Sequence, residues 1–253
     1  MKQAWLAWGA FCFRFRNFLF PAVLVMLLVF FRPHPFLGTA HGDVFLDAAG
    51  LLVGFMGQVL RALVVGLAYI RRGGKNKKVY ADTLVTEGMF KVMRNPLYVA
   101  NLLGIAGMLL IYHNIWVYVL GGGFFLTAYS AIVANEETFL LQKFGDAYRD
   151  YCREVPRWWP KLSRIKEASE GLSFRWKRVV AKEYATFFSG LSATIAVLAY
   201  DTYWTAPRAY WAEAWITLGL LWLALVALTA WLWQLKHRGV FQEKKVTLPA
   251  DFN

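Results

Sequence analysis

Six apolar runs, near 17–31, 45–70, 97–112, 115–134, 184–204 and 212–235, are separated by polar gaps, two of them long, and this pattern limits what the chain can fold into. A helix crossing a hydrocarbon layer needs about 20 predominantly apolar residues. A chain of 253 residues is long enough for a soluble core, but 58% hydrophobic and 17% aromatic residues, with a mean hydropathy of +0.39, are too apolar for one. The sequence predicts an all-α, polytopic membrane helical bundle of about six transmembrane helices. Only residues 113 and 114 separate the third and fourth runs, so these two should form a tight helical hairpin.

The formal charge of +12 invites a nucleic-acid reading, but its placement argues against one. Of 28 Lys and Arg residues, 25 lie before the first run, in 71–94, in 135–183 or after the last run. Arg32 and Arg208 fall in the opposite connections, and Arg61 lies inside the second run. Positive residues hold loops on the cytoplasmic face, so both termini and both long loops are expected there, in a multi-pass protein of the cytoplasmic (inner) membrane. The charge is thus read as topology, with the bilayer as partner and no nucleic acid. The basic start resembles a signal peptide, but no small-residue cleavage site follows at Arg32-Pro33-His34-Pro35, and the segment is expected to stay as an anchor. The aromatic stretch 4–15 is expected to lie in the interface before the first span.

Four regions follow: spans one and two in 1–79, a hairpin with its cap in 80–160, an amphipathic interfacial helix in 161–183, and spans five and six in 184–253. The basic turn Gly73-Gly74-Lys75-Asn76-Lys77-Lys78 is a solvated loop near anionic lipid. Cys12 and Cys152 give no disulfide framework or thiolate site. His34, His41, His113 and His237 are scattered without ligand spacing, so no metal site is expected.

Polar residues of functional interest cluster at one membrane face. Arg94-Asn95-Pro96-Leu97-Tyr98 opens the third run and Glu136-Glu137 closes the fourth, so a cation and two carboxylates flank an otherwise lipid-compatible hairpin. Charges at a membrane boundary are costly and often mark sites. Beyond Glu137 the helix is expected to leave the membrane through Leu140, Leu141 and Phe144 and to end at Gly145. Tyr148, Tyr151, Pro156, Arg157, Trp158 and Trp159 then form either an aromatic belt or the wall of a pocket over the Glu136-Glu137 helix end. Inside the second run, Gln58 and Arg61 share a helix face at i and i+3, and Arg61 lies about nine residues, roughly 14 Å, from the cytoplasmic end. A structural partner and a contact with a substrate headgroup both account for it.

Leu84-Val85-Thr86-Glu87-Gly88-Met89-Phe90, Arg94-Asn95-Pro96-Leu97-Tyr98, Glu136-Glu137, Phe144-Gly145, Tyr148, Tyr151 and Val155-Pro156-Arg157 together resemble the integral membrane methyltransferases. These comprise the isoprenylcysteine carboxyl methyltransferases and the phospholipid N-methyltransferases, and the resemblance covers about residues 80–160. It implies a helical membrane fold whose cytoplasmic face binds S-adenosylmethionine while a lipid or lipidated substrate enters sideways. It further implies a cofactor site lined by Arg94, Tyr98 and Glu137, with Glu136 beside it, Gly88 giving backbone contacts, and Asn95, Tyr148 and Arg157 within the same motifs. Family members often carry His where this chain has Asn95, which hydrogen-bonds but does not titrate. The chemistry agrees with the resemblance, since a sulfonium donor with an ammonium and a carboxylate needs an anion and a cation. Glu137 and Arg94 offer both, and they are the candidate catalytic pair.

Two other classes remain open. Membrane sterol reductases look similar over the Arg-x-Pro-x-Tyr region and use reduced nicotinamide, whose phosphates would suit the basic 71–94 loop. A membrane scaffold or small transporter would keep the hairpin as structure, but the polar residues sit at one face rather than in matching halves. Neither the methyl acceptor nor the oligomeric state is readable.

Overall fold

The computed structural model describes residues 2–35, 40–68 and 79–241. Among them the fold is helical, with no strand. Eight α-helices follow in order: α1 Lys2–Phe30, α2 Ala40–Leu67, α3 Pro96–Ile111, α4 Ile115–Phe144, α5 Asp146–Glu154, α6 Ile165–Ser169, α7 Trp176–Thr205 and α8 Trp211–His237. Four helical stretches are long and apolar enough to cross a membrane: Lys2–Phe30, Gly42–Leu67, Ile115–Phe144 and Arg208–His237. α3 is equally apolar but shorter, and α7 has the length but carries charge in its first turns. The helical membrane bundle expected from the sequence is therefore present.

The helices pack as antiparallel pairs, α1 with α4, α2 with α3 and α7 with α8, with α7 also touching α2 and α3. The α2–α3 pair is close because glycines face each other: a Cβ on Gly107 would lie 2.5 Å from the Gly50 carbonyl oxygen. Small residues let helix backbones approach where lipid gives no hydrophobic drive for association. α1 and α4 bury Cys12, Phe13, Phe125, Ala128, Tyr129 and Ile132 between them. No residue of α8 is buried, and Trp215, Ile216, Leu220, Leu221 and Leu223 are all exposed, as suits a helix bathed in lipid.

The hairpin turn forms where the sequence predicts it. Asn114 caps α4 by accepting from the Trp116 and Val117 amides at 2.8 and 3.4 Å, and donates to the Arg32 carbonyl at 2.7 Å. His113 before it has φ 52°, a left-handed conformation unusual for a residue with a Cβ. α4 ends at Phe144, with Gly145 at φ 53°.

Two expectations need correction. The aromatic stretch 4–15 is not a separate interfacial segment but the first half of the continuous α1, which carries Pro21 within it. The stretch 161–183 is not one amphipathic helix: a 3-10 turn Leu162–Arg164 leads into the short α6, which ends at Ser169; Gly171 follows with φ 70°, and α7 starts afresh at Trp176. The positive φ at Gly171 turns the chain where a continuous helix would need φ near −63°. The basic turn 73–78 lies outside the described residues.

Candidate functional site

The end of the α3–α4 hairpin opposite its turn gathers most of the polar residues singled out above. Pro96 occupies the first turn of α3, where its missing N–H costs nothing, and this places Arg94 and Asn95 just outside the helix. Their strand of chain is laced to the segment after α5. The Arg94 amide donates to the Pro156 carbonyl at 2.9 Å, the Lys161 amide to the Val92 carbonyl at 2.9 Å, and the Tyr151 hydroxyl to the Phe90 carbonyl at 2.8 Å.

Within this frame Glu137 is held between two guanidinium groups. Arg94 Nη1 lies 3.2 Å from Glu137 Oε1, Arg157 Nε donates to the same oxygen at 3.1 Å, and Arg157 Nη2 donates to Oε2. Arg94 Nη1 also reaches Cys152 Sγ at 2.8 Å, while Arg94 Nε is buried without a hydrogen-bond partner. Burial works against the Arg94 charge, but Glu137 and Cys152 outweigh it and raise the pKa above its ordinary value, so the guanidinium stays charged. Asn95 Nδ2 donates to the Arg157 carbonyl at 3.2 Å, so this Asn fixes the cap and makes no contact with either carboxylate. Tyr148 is buried beside Cys152. Burial pushes its phenol well above the usual range, helped by Glu137 and Cys152 and opposed by Arg94, so Tyr148 remains a neutral hydroxyl.

Adjacent residues on a helix point about 100° apart, and α4 uses that offset to separate its two carboxylates. Glu137 faces the α5 cap, whereas Glu136 faces inward and accepts from the Tyr98 hydroxyl at 2.6 Å. Glu136 and Tyr98, with Arg94 and Asn95, line one end of a cavity of about 890 Å³ between α1, α2, α3, α4 and α7. Its walls continue past Gln58, Arg61 and Asn101 toward Gly50, Gly107 and Ile111. Polar groups thus stand at one end and along the middle of the cavity, and apolar residues such as Leu51, Ile105 and Ile111 line the rest.

Arg94, Asn95, Tyr98, Glu136, Glu137, Tyr148 and Arg157 are therefore brought together, and Gln58 and Arg61 line the same cavity deeper in. Gly88 is not with them. It packs against Leu67 and Ala68 at the end of α2, where a Cβ would lie 3.2 Å from each, and its φ of 60° starts the 3-10 turn Gly88–Lys91. Arg61 has a structural partner: its Nε donates to Glu183 Oε2 at 2.9 Å, and its Nη1 donates to Asn101. Glu183 and Asn101 were missed in the sequence. Asn101 could have been noticed as the lone amide amid the apolar α3 run, one turn beyond Tyr98. Glu183 was hidden in the basic stretch before the fifth run, one residue outside its drawn boundary.

Residues 48–147 match the phospholipid methyltransferase family, so the membrane-methyltransferase resemblance holds over that segment. Two bacterial proteins share sequence with the chain. The cobalt-zinc-cadmium resistance protein CzcN of Cupriavidus metallidurans is 35% identical over 88 residues, which cover 35% of this chain and 40% of that protein. The nickel-cobalt-cadmium resistance protein NccN of Alcaligenes xylosoxydans xylosoxydans is 30% identical over 127 residues, 50% of this chain and 57% of its own length. The matches thus span about half of these relatives. No solved structure matches the chain.

Proposed function

We propose that this chain is an S-adenosylmethionine-dependent methyltransferase that acts on a lipid or isoprenoid-type amphiphile at the cytoplasmic membrane face. The carrying observation is the cavity, which sets Arg94, Tyr98 and Glu136 at one end, Gln58, Arg61 and Asn101 along its middle, and apolar residues of α2 and α3 such as Leu51, Ile105 and Ile111 over the rest. The family match over 48–147 supports the reading, since that segment contains Arg94, Tyr98 and Glu136 and all of α3.

The residues fit the cofactor's two charges. The buried Arg94 Nε without a partner is a donor in wait for an acceptor, and Glu136 on the opposite wall is the carboxylate that faces the cavity. Arg94 would hold the cofactor's carboxylate and Glu136 its ammonium, which moves the amine-binding role from Glu137 to its neighbour. Glu137 then orients Arg94 and Arg157, and Tyr98 orients Glu136. When bound, S-adenosylmethionine supplies a methyl group on a sulfonium, which departs as a neutral thioether once an acceptor lone pair has taken the methyl. Charge disappears in such a transfer, so a cavity that excludes water and aligns the acceptor favours it. The long apolar wall would align an acyl or prenyl chain with its headgroup toward Arg94. The relatives' names point to tolerance of divalent heavy metals as the setting in which such a methylated product is used.

Calorimetric titration of the detergent-purified chain with S-adenosylmethionine, S-adenosylhomocysteine and NADPH tests the reading. Adenosyl-ligand binding that is lost in Glu136→Gln and Arg94→Ala supports it. NADPH binding alone would replace it with a reductase, and binding of none would leave a scaffold or transporter.

A further inference from the structure

At the hairpin-turn face, opposite the cavity's polar end, three helices and a turn bring their ionisable side chains to one point. α2 contributes Asp43 and Asp47, the α3–α4 turn contributes His113, and α7 contributes Asp201. His113 Nε2 lies 3.3 Å from Asp47 Oδ1, and its Nδ1 lies 3.5 Å from both Asp43 Oδ1 and Asp201 Oδ1. One donor atom each from Asp47, His113 and Asp201 lie within 4.8 Å of one another. His113 is 5% exposed and Asp201 4%. Both His113 ring nitrogens, Asp47 Oδ1 and Asp201 Oδ1 are buried, yet none has a hydrogen-bond partner.

From this geometry we infer that Asp47, His113 and Asp201 form a binding site for a divalent first-row transition-metal ion, with Asp43 as the carboxylate that orients the imidazole. Buried polar atoms are ordinarily satisfied, so donor atoms of Asp47, His113 and Asp201 that lie within 4.8 Å of one another without a hydrogen-bond partner call for a ligand. The ligand must be a cation. Three carboxyl groups surround one imidazole, and among the described residues neither Asp47 nor Asp201 has a Lys or Arg partner. Arg32, on this face, lies over the Trp204 ring instead, at 4.3 Å.

The spacing suits a metal better than an internal hydrogen bond. Two ligands about 2.0–2.1 Å from a tetrahedral ion stand about 3.3–3.4 Å apart, close to the 3.3 Å between His113 Nε2 and Asp47 Oδ1. Mixed imidazole and carboxylate donors without thiolate select Zn²⁺, Co²⁺ and their neighbours rather than soft ions. Nε2 would take the ion beside Asp47, with a carboxylate oxygen of Asp201 within 4.8 Å as the third donor, and the Nδ1 proton would be left to Asp43. A ligating His normally gives its other N–H to a carboxylate in this way, which fixes the tautomer. The left-handed φ of 52° at His113 aims the ring into the cluster, and the partly exposed Asp43 and Asp47 side chains give the ion a way in. No sequence motif shows the set, because its members lie at 47, 113 and 201 on separate elements.

The site does not depend on methyl transfer, and its test reads ion binding alone. The full chain, stripped with chelator in detergent, is titrated with Zn²⁺ by calorimetry and with Co²⁺ by its ligand-field absorption. One equivalent should bind and raise the melting temperature. His113→Gln and Asp201→Asn, checked for wild-type helix content and elution, should lose it, and Asp43→Asn should weaken it about 10–100-fold. No stoichiometric ion in the wild type, or an ion retained by both His113→Gln and Asp201→Asn, would overturn the site. Should those variants fail to fold, Asp47→Asn and the zinc X-ray absorption spectrum of the wild type decide. One imidazole nitrogen among oxygens supports the assignment, and a shell with sulfur or without imidazole sinks it.

Discussion

Arg61 separates two readings of the cavity, and a small mutant cycle decides between them. Its guanidinium pairs with Glu183 at 2.9 Å, with side-chain exposures of 10% and 0%. Glu183→Gln strands a buried cation, a change that typically costs about 3–5 kcal/mol. For a chain of this length each kcal/mol moves the melting temperature about 2–4 °C, so the loss should be roughly 6–20 °C. Arg61→Met removes the guanidinium that donates to the buried Glu183 and should also lower the midpoint. Arg61→Met/Glu183→Leu removes both charges and should recover most of the loss, because replacing a buried pair by apolar groups is often close to neutral. Thermal unfolding in detergent, followed by circular dichroism, measures all four proteins. If Glu183→Gln shifts the midpoint by less than about 2 °C, or if the double variant is as unstable as the singles combined, the pair is not what holds α7 to α2. A headgroup-binding Arg61 predicts the opposite pattern, a near-normal midpoint and weakened lipid binding in Arg61→Met.

Four further outcomes follow from the same geometry. Gly107→Val places a Cβ 2.5 Å from the Gly50 carbonyl oxygen and should destabilise the α2–α3 pair by about 1–3 kcal/mol, seen as a lower melting midpoint. Glu137→Gln keeps the shape but weakens the hold of Arg94 and Arg157. Amide exchange of Arg94 and Lys161, whose N–H groups lace the cap, should speed up while the core of α4 stays protected. Tyr98→Phe removes the 2.6 Å donor to Glu136, at about 1–3 kcal/mol, and calorimetry should show adenosyl-ligand affinity reduced roughly 5–150-fold. Asn95→His installs a titratable ring at the cap, and the pH profile of binding should gain an inflection near neutral pH relative to the wild-type profile. A profile unchanged from the wild type would mean that position 95 acts only through the Arg157 carbonyl.

Much of the helical layout was legible because hydropathy sets it locally. The tight 113–114 turn, the Gly145 stop and the start of α3 at Pro96 each rest on one or two residues with strong backbone preferences. What escaped was what apolar periodicity does not encode. α1 runs unbroken through Trp5, Trp8 and Phe11 because an aromatic-rich stretch is as good a helix as an interfacial anchor, and its packing against α4 decides. The stretch after Lys161 alternates basic and apolar residues and so looks helical. The bonds that shape it are long-range, from Arg175 N to the Gly66 carbonyl and from Lys161 N to the Val92 carbonyl, and sequence spacing carries no trace of them.

The site was legible to the level of the cluster but not of the individual carboxylate. Arg94, Asn95, Tyr98, Glu136, Glu137, Tyr148 and Arg157 all come to one face, yet the glutamates at i and i+1 point about 100° apart, Glu136 into the cavity and Glu137 toward the cap. The 3.2 Å Arg94–Glu137 contact and the Tyr98–Glu136 bond show which is which, and they turn an apparent redundancy into a division of labour. Arg94 is the shared member, held by Glu137 on one side and lining the cavity on the other. Loss of Glu137 should therefore act on a ligand only through the position of Arg94, whereas loss of Glu136 removes a contact. Affinity partly restored by Glu137→Asp, with its shorter arm on the same two guanidiniums, and not by Glu136→Asp would be the signature of that difference. Equal rescue at both positions would return both carboxylates to the same role.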